Sequence, residues 1–468
     1  MSQTTPGTPG TPGRRSSRRG GRVNATIVLA IVLPVLCALA LFLVRPTDPA
    51  VLSAEPTRTA LSRASLVCPS GTRDVLVSSA ADDVTGEVQV GLGEDRAAST
   101  IASGEVTPVE VGRGPVVVSG EDETAPGLVA ARVTEDTAAT CLPPTPTSWF
   151  TGVGTGAGHR SVLELTNPDS GTALADVTVY GRNGVVDAPR LRGVSVPGGT
   201  SVELDLATLV PRRDELSLEV VTGRGRIGAT LLDRFDPVGR DALVTDWLPA
   251  QTEPATSHLL LGLAPGADAR RSLIIANGGA DQVLATLEVV TDDSVFTPKD
   301  VPELRIPPQS TARLELTGEL AQLLEDGATG LQVTANEPVT ASLRTRTVDD
   351  LSLAVPDPEL SGAATVLLPE GGGDVGKELQ LSGASGAGVV KVVARSSGGK
   401  KLAAKRVEVA PDRGYSVTLP SGAVLVTVTP ARTTISGAVL VSGASTTVVP
   451  LRMPALNGLV PAVRPGLP

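Results

Sequence analysis

Several short patterns in this chain have the residue types and spacing of known chemistry. Gly223-Arg224-Gly225-Arg226-Ile227-Gly228 has the spacing of the turn that lets a dinucleotide pyrophosphate approach the backbone at a helix N-terminus. Asp246 follows at about the distance where an acid would meet the ribose. That chemistry needs a helix next, yet IGATLLDRF (227–235) reads as a strand. The equivalent stretch one repeat later, Ala335-Asn336-Glu337-Pro338-Val339, has no glycine, so a hairpin turn explains both versions. Ser397-Gly398-Gly399-Lys400 has SxxK spacing, but it lies between two β runs and lacks the KTG and SDN partners a serine nucleophile would need; it too reads as a turn. The two histidines are His159 and His258. His258 falls where Trp149 falls in the preceding repeat, and a general base has no reason to share a position with tryptophan. No HExxH, Cys/His cluster or triad can be assembled. Asp82-Asp83, Asp292-Asp293 and Asp349-Asp350 are carboxylates of the kind that hold calcium, but none sits in a DxDxDG loop, and they read as solvated turns. Trp149, Trp247, Tyr180 and Tyr415 are too scattered to form a sugar platform; packing near domain junctions suits the tryptophans better. No catalytic residue, metal ligand or cofactor is assigned, and the chain is read as a non-enzyme.

The elements that carry these residues follow from composition. Gly (51) and Pro (38) punctuate a chain rich in Val and Thr with only 2 Trp, 2 Tyr and 4 Phe, which points to short strands and turns. Residues 25–44, ATIVLAIVLPVLCALALFLV, contain no charge. As a helix they would span the roughly 30 Å hydrocarbon core of a bilayer. Arg14, Arg15, Arg18, Arg19 and Arg22 precede the run and Arg45 alone follows it closely, so the positive-inside rule keeps the N-terminus cytoplasmic and exports the rest. Cleavage after Ala38-Leu39-Ala40 is the competing reading, but it would leave Leu41–Val44 as an apolar new terminus. Lipidation of Cys37 is disfavoured by Leu36, where a small residue is needed. The anchor reading is preferred. All 50 acids lie after the run with 35 of the 40 Lys/Arg, a net charge of −15 that argues against nucleic-acid binding. Cys68 and Cys141 are both exported, where disulfides persist, and are expected to pair.

Past a disordered basic tail (1–24), the apolar helix (25–44) and a tether (45–62), the sequence repeats. TSWFTGVGTGAGHRSVLELTNP from 147 matches TSHLLLGLAPGADARRSLIIANG from 256, and VSVPGGTSVELDL from 194 matches LRIPPQSTARLELTG from 304. Fainter copies begin at 65 and 364. Four β domains are therefore expected at 63–143, 146–252, 255–357 and 361–454, followed by a Pro-rich tail at 455–468. Alternation at Val202, Leu204 and Leu206, and at Leu216, Leu218 and Val220, gives each strand one core face and one water face. About seven such strands per repeat predict tandem immunoglobulin-like β-sandwiches, an all-β fold. One brief helical signal, Glu319–Glu325, interrupts them.

A charged tail, one anchor and Val/Gly-rich β repeats with NP and VPxGTSVELDL-like segments resemble an uncharacterised family of actinobacterial envelope proteins. The high Arg-to-Lys ratio fits a GC-rich genome of that kind. The resemblance implies location and architecture, with no activity.

Five of the six lysines follow residue 376, and residues 361–454 hold ten Lys/Arg against five acids. Lys391 and Arg395 share a face of one strand, Lys401 and Lys405 a face of the next. A basic hairpin on a membrane-distal domain would attract an anionic envelope polymer or an acidic protein partner. The whole reads as a single-pass, extracytoplasmic scaffold or interaction protein built as an extended stalk. An accessory subunit of an envelope-biosynthesis enzyme is the alternative, and a cell-wall hydrolase with a dispersed carboxylate pair a second one.

Overall fold

A computed structural model of the protein describes residues 25–43, 57–71, 74–213, 215–236, 243–251, 253–264, 269–299 and 301–460. The five topology arginines, the basic tail and most of the tether and C-terminal tail lie outside them. The chain divides into two compact units, 1–57 with 460–468, and Arg58–Leu459.

In the first unit, Ala25–Leu43 is helical through Pro34, and Cys37 is a free, exposed thiol. Side chains are described for residues 28–40, a stretch covering about 20 Å. Among the described residues no helix is long and apolar enough to cross a membrane.

The second unit is β-structure with two short helices, Leu206–Leu209 and Glu319–Glu325, the latter where the sequence signals it. Its strands form four successive sandwiches, I to IV, and each repeats one pairing scheme. In sandwich I the first sheet is Arg63–Cys68, Val116–Glu121, Thr85–Leu92 and Asp95–Ala102, in that order; the second is Thr107–Glu110, Asp74–Ser79, Leu128–Val133 and Ala138–Thr140. Numbered along the chain, the orders are 1-6-3-4 and 5-2-7-8. Sandwich IV, from Ala364–Leu367 to Thr446–Pro450, has the same two orders. Sandwich II, from Thr147–Val153 to Val244–Leu248, keeps them and adds Val194–Val196 beside its third strand. In sandwich III, strands six and seven are one 17-residue strand, Gly330–Arg346, whose first half pairs with Ala255–Leu261 and Val283–Val290 and whose second half pairs with Arg270–Asn277 and Leu351–Ala354. The 2–5 and 3–6 pairs match strands B–E and C–F of an immunoglobulin domain. The places beside them differ: strand 1 lies next to strand 6, where G would be, and strand 7 lies next to strand 2, where A would be.

Gly223–Gly228 therefore is no hairpin. It joins Leu216–Arg224 in one sheet to Gly228–Phe235 in the other, an arch across the sandwich, with Gly225 at φ +77°. Ser397–Lys400 does turn a true hairpin, closed by Ser396 N–H to Lys400 O at 2.9 Å. Cys68 and Cys141 form a disulfide in sandwich I, 73 residues apart in sequence.

The sandwiches do not string out as a stalk. One apolar core holds Leu379, Val390 and Val439 of sandwich IV together with Leu76, Val106 and Val133 of sandwich I. Another joins sandwich III to Ala438, Leu440 and Val448 of IV, and a third joins sandwich II to Leu351, Leu353 and Val355 of III. A stalk was expected because repeat order carries no record of which outer faces are apolar enough to pack. Here I closes on IV.

Candidate functional site

The polar residues that first attract attention are spent at the seams between sandwiches. Between I and II, Ser70 donates from Oγ to Glu164 at 2.8 Å and from its N–H at 3.2 Å, and Trp247 Nε1 donates to Ser70 O at 3.2 Å. Burial pushes the Glu164 carboxyl above its ordinary range, against the pull of the Ser70 bonds. Glu203 lies directly across the strand pair from Glu164, and both border a pocket of about 70 Å³. That volume is well below the roughly 300 Å³ or more of a small-molecule site.

Between II and III the seam is hydroxyl-rich. Thr151 and Thr340 share a hydrogen bond at 2.6 Å, Ser342 Oγ donates to Thr151 O at 2.6 Å, and Thr311 Oγ1 donates to Tyr180 O at 3.0 Å. Arg344 and Arg313 both reach buried Glu215, at 3.2 and 2.6 Å. Burial raises the Glu215 carboxyl, but the two guanidiniums prevail and hold it below the ordinary range. Asp246, the would-be ribose acid, is buried and accepts N–H groups from Trp247 and Leu353, both at 2.9 Å. Burial pushes its carboxyl well up.

His159 Nε2 lies 2.9 Å from Asp233 Oδ1, and Ser161 Oγ donates to the same carboxylate. This is no triad: the acid sits between serine and histidine, so the histidine has no nucleophile to deprotonate. All three are buried, and His159 stacks on Phe235, whose ring also meets Arg344 and Arg346. His258 Nε2 donates to Val339 O, 2.8 Å away inside sandwich III. Trp149 stacks on Tyr180 and reaches Gly278 of sandwich III, so both tryptophans do sit at junctions.

The III–IV seam uses Asp350 as acceptor for Thr446 N–H at 2.8 Å and Gln380 for Gly262 N–H at 2.8 Å. Asp357, in the linker, accepts Leu261 N–H at 3.0 Å through Oδ2, while its buried Oδ1 has no hydrogen-bond partner. Burial pushes this carboxyl up to about 7. The I–IV seam is closed by Val106 N–H to Ser397 O at 2.8 Å and Ser445 N–H to Asp136 at 2.6 Å.

The basic hairpin contributes to that closure. Lys391, Lys401 and Lys405 are exposed, but Arg395 is half-buried, donates to Gly399 O at 3.0 Å and lies against Gly104 of sandwich I. The four do not form one patch. Lys391 pairs across the sheet with Arg406 on the outer face, whereas Lys405 stands opposite core residue Val392 and bends to Thr418 O at 3.1 Å. Another lysine, Lys377, is internal: its ammonium donates to carbonyls of Pro369, Ser421 and Ala423, and burial lowers it to about 8.

What the seams enclose is a cavity of about 520 Å³ where I, II and IV meet. Strand Arg63–Cys68, the Cys141–Thr145 segment, Gly228–Leu231, Trp247–Ala250, Thr365–Leu367 and the stretch from Thr447 to Ala455 form its walls. Its size is that of a small-molecule site. The third glycine of the GxGxxG pattern is explained here: a Cβ on Gly228 would collide with Val67, so glycine is needed for sandwich I to approach II. Among the described residues no carboxylate lines the cavity; three arginines do, Arg63, Arg226 and Arg452. Arg226 is held by Asp169 through two bonds at 2.5 and 2.9 Å, and Arg63 meets Glu121 at the surface at 3.5 Å. Arg452 donates to Ala250 O at 3.4 Å, and burial lowers its basicity against the pull of Asp357. Sequence reading missed this set because its members come from three different repeats. Among the described residues no group of three or more His, Cys, Asp or Glu is placed to hold a metal ion.

A family profile described as a family of unknown function, DUF5719, matches residues 98–420, from within sandwich I into sandwich IV. No curated protein matches the chain.

Proposed function

The chain belongs to the DUF5719 family, and on that footing we propose that it is a non-catalytic binding and scaffold protein of an actinobacterial cell envelope. It is held by one N-terminal membrane helix, with its tandem, broadly immunoglobulin-like sandwiches outside. The charge-free run at 25–44 with arginines on its N-terminal side supports that topology, and the Cys68–Cys141 disulfide fits an oxidising compartment. One observation carries the functional reading. Among the described residues the buried ionisable groups named above bond within or between sandwiches, while the cavity offers apolar walls and arginines and no acid. Such a body binds; among the described residues that line the cavity there is no acid or histidine to move a proton on a substrate.

Labelling intact cells with a membrane-impermeant amine crosslinker tests this reading. Lys391, Lys401 and Lys405 are expected to react and to capture envelope material, less so after all three are changed to Glu. Capture of one dominant membrane enzyme would favour the accessory-subunit alternative. Labelling that needs cell lysis would overturn the outward topology. Envelope-substrate hydrolysis by the purified chain would overturn the non-catalytic reading.

A further inference from the structure

We propose that the cavity between sandwiches I, II and IV binds an anionic amphiphile, its hydrocarbon part against the apolar walls and its acidic group on Arg452. The inference rests on the binding reading above and names the ligand class for it. Among the described residues no acid lines the cavity, although the exported part is acidic overall, and that exclusion favours a negative guest over a neutral or cationic one. The walls supply hydrocarbon: Leu66, Val67, Leu231, Val366 and Val449 face the space from all three sandwiches, with Trp247 at one side. A fully polar anion such as free phosphate or a sugar acid would leave those walls unmatched, and a neutral hydrocarbon would leave the arginines unused.

Arg452 is the residue best placed to take the charge. Arg226 is already committed to Asp169 by two bonds, and Arg63 is 81% exposed beside Glu121. Arg452 is partly buried, and the hydrogen bond described for its side chain is a long one, to Ala250 O. The acid whose charge it feels, Asp357, directs Oδ2 to Leu261 N–H and has Oδ1 without a hydrogen-bond partner. A guanidinium offers five N–H donors in a fork that matches carboxylate or phosphate oxygens. A partly desolvated arginine with donors to spare at the wall of an apolar cavity is a head-group site.

The probe is a photoreactive sixteen-carbon fatty acid, added to membrane vesicles carrying the full chain. Unlabelled competitors are palmitate, hexadecyl phosphate and methyl palmitate, with inorganic phosphate as a fourth. Labelling is expected in peptides spanning 138–145, 226–231 or 447–455. Palmitate and hexadecyl phosphate should each compete at least tenfold better than methyl palmitate, and inorganic phosphate should not compete. The better of the two acids then identifies carboxylate or phosphate as the head group. Arg452→Gln should erase the preference for the charged competitors while the same peptides still label, a readout that simple unfolding would not give. Ala250→Trp, which fills the cavity, should abolish labelling in protein whose melting temperature is retained. Equal competition by acid and ester, or labelling confined to 25–44 or to the outer surface, would overturn the proposal. Envelope capture by the lysine crosslinker would survive such a failure, so the two readings are separable.

Discussion

Asp357 is the residue at which the account is most easily tested. Burial, opposed by the Leu261 N–H and by the charge of Arg452, raises its carboxyl from 3.8 to about 7. Between roughly pH 4 and 7 the folded chain therefore holds a proton that the unfolded chain has released. Stability from this group is fully present below about pH 4, falls as pH rises through that window, and levels off above about 7. Three units correspond to an upper bound of about 4 kcal/mol. Glu164, Asp246 and Asp350 are also raised, chiefly by burial, and slope the same way. His258, lowered by burial, opposes the trend below its ordinary value of 6.5, and Lys377, lowered to about 8, opposes it only above that pH. Denaturant titrations from pH 4 to 8 should show stability declining, and Asp357→Asn should flatten part of the decline and stabilise the protein at pH 8. An unchanged slope in the variant would mean that the carboxyl is not held protonated. This burial is not legible in the sequence, because Asp357 sits between two prolines in an apparent linker.

At the scale of strands and seams, the sequence was legible wherever burial followed period two within one repeat. Val177, Val179, Leu216, Leu218 and Val220 point inward as their alternation requires, and Glu319–Glu325 is the expected short helix. The reading failed where a second sandwich covers an outer face. Ser217, Thr151, Thr340 and Ser342 look like water-facing residues but are buried against one another's sandwiches, because small hydroxyls can satisfy each other as well as water can. The cavity was illegible for the same reason: Arg226 and Arg452 become neighbours of one space only through packing between repeats. The Glu215–Arg344 pair makes this seam measurable. Arg344→Ala leaves Glu215, 2% exposed, with Arg313 alone and should cost about 3 kcal/mol or somewhat more. Adding Glu215→Ala should cost less than the separate effects combined, by more than about 1 kcal/mol. Strict additivity in the cycle would say that the pair does not bridge II and III.

For the Arg58–Leu459 body as a whole, the consequence is closure. Each sandwich shares apolar core with a neighbour, and the fourth returns to the first through Val106, Ser397, Asp136 and Ser445. The basic repeat comes last along the sequence, and its hairpin tip docks on sandwich I. Without that return there is no cavity, since its walls come from I, II and IV together. The direct measurement is the distance between spin labels on Glu105→Cys and Ser397→Cys, in full-length chain with Cys37→Ala and the native disulfide intact. These positions flank the Val106–Ser397 hydrogen bond at the I–IV seam. One narrow population at short separation is expected of the closed body, and a broad distribution at long separation, as an extended stalk would give, would contradict closure.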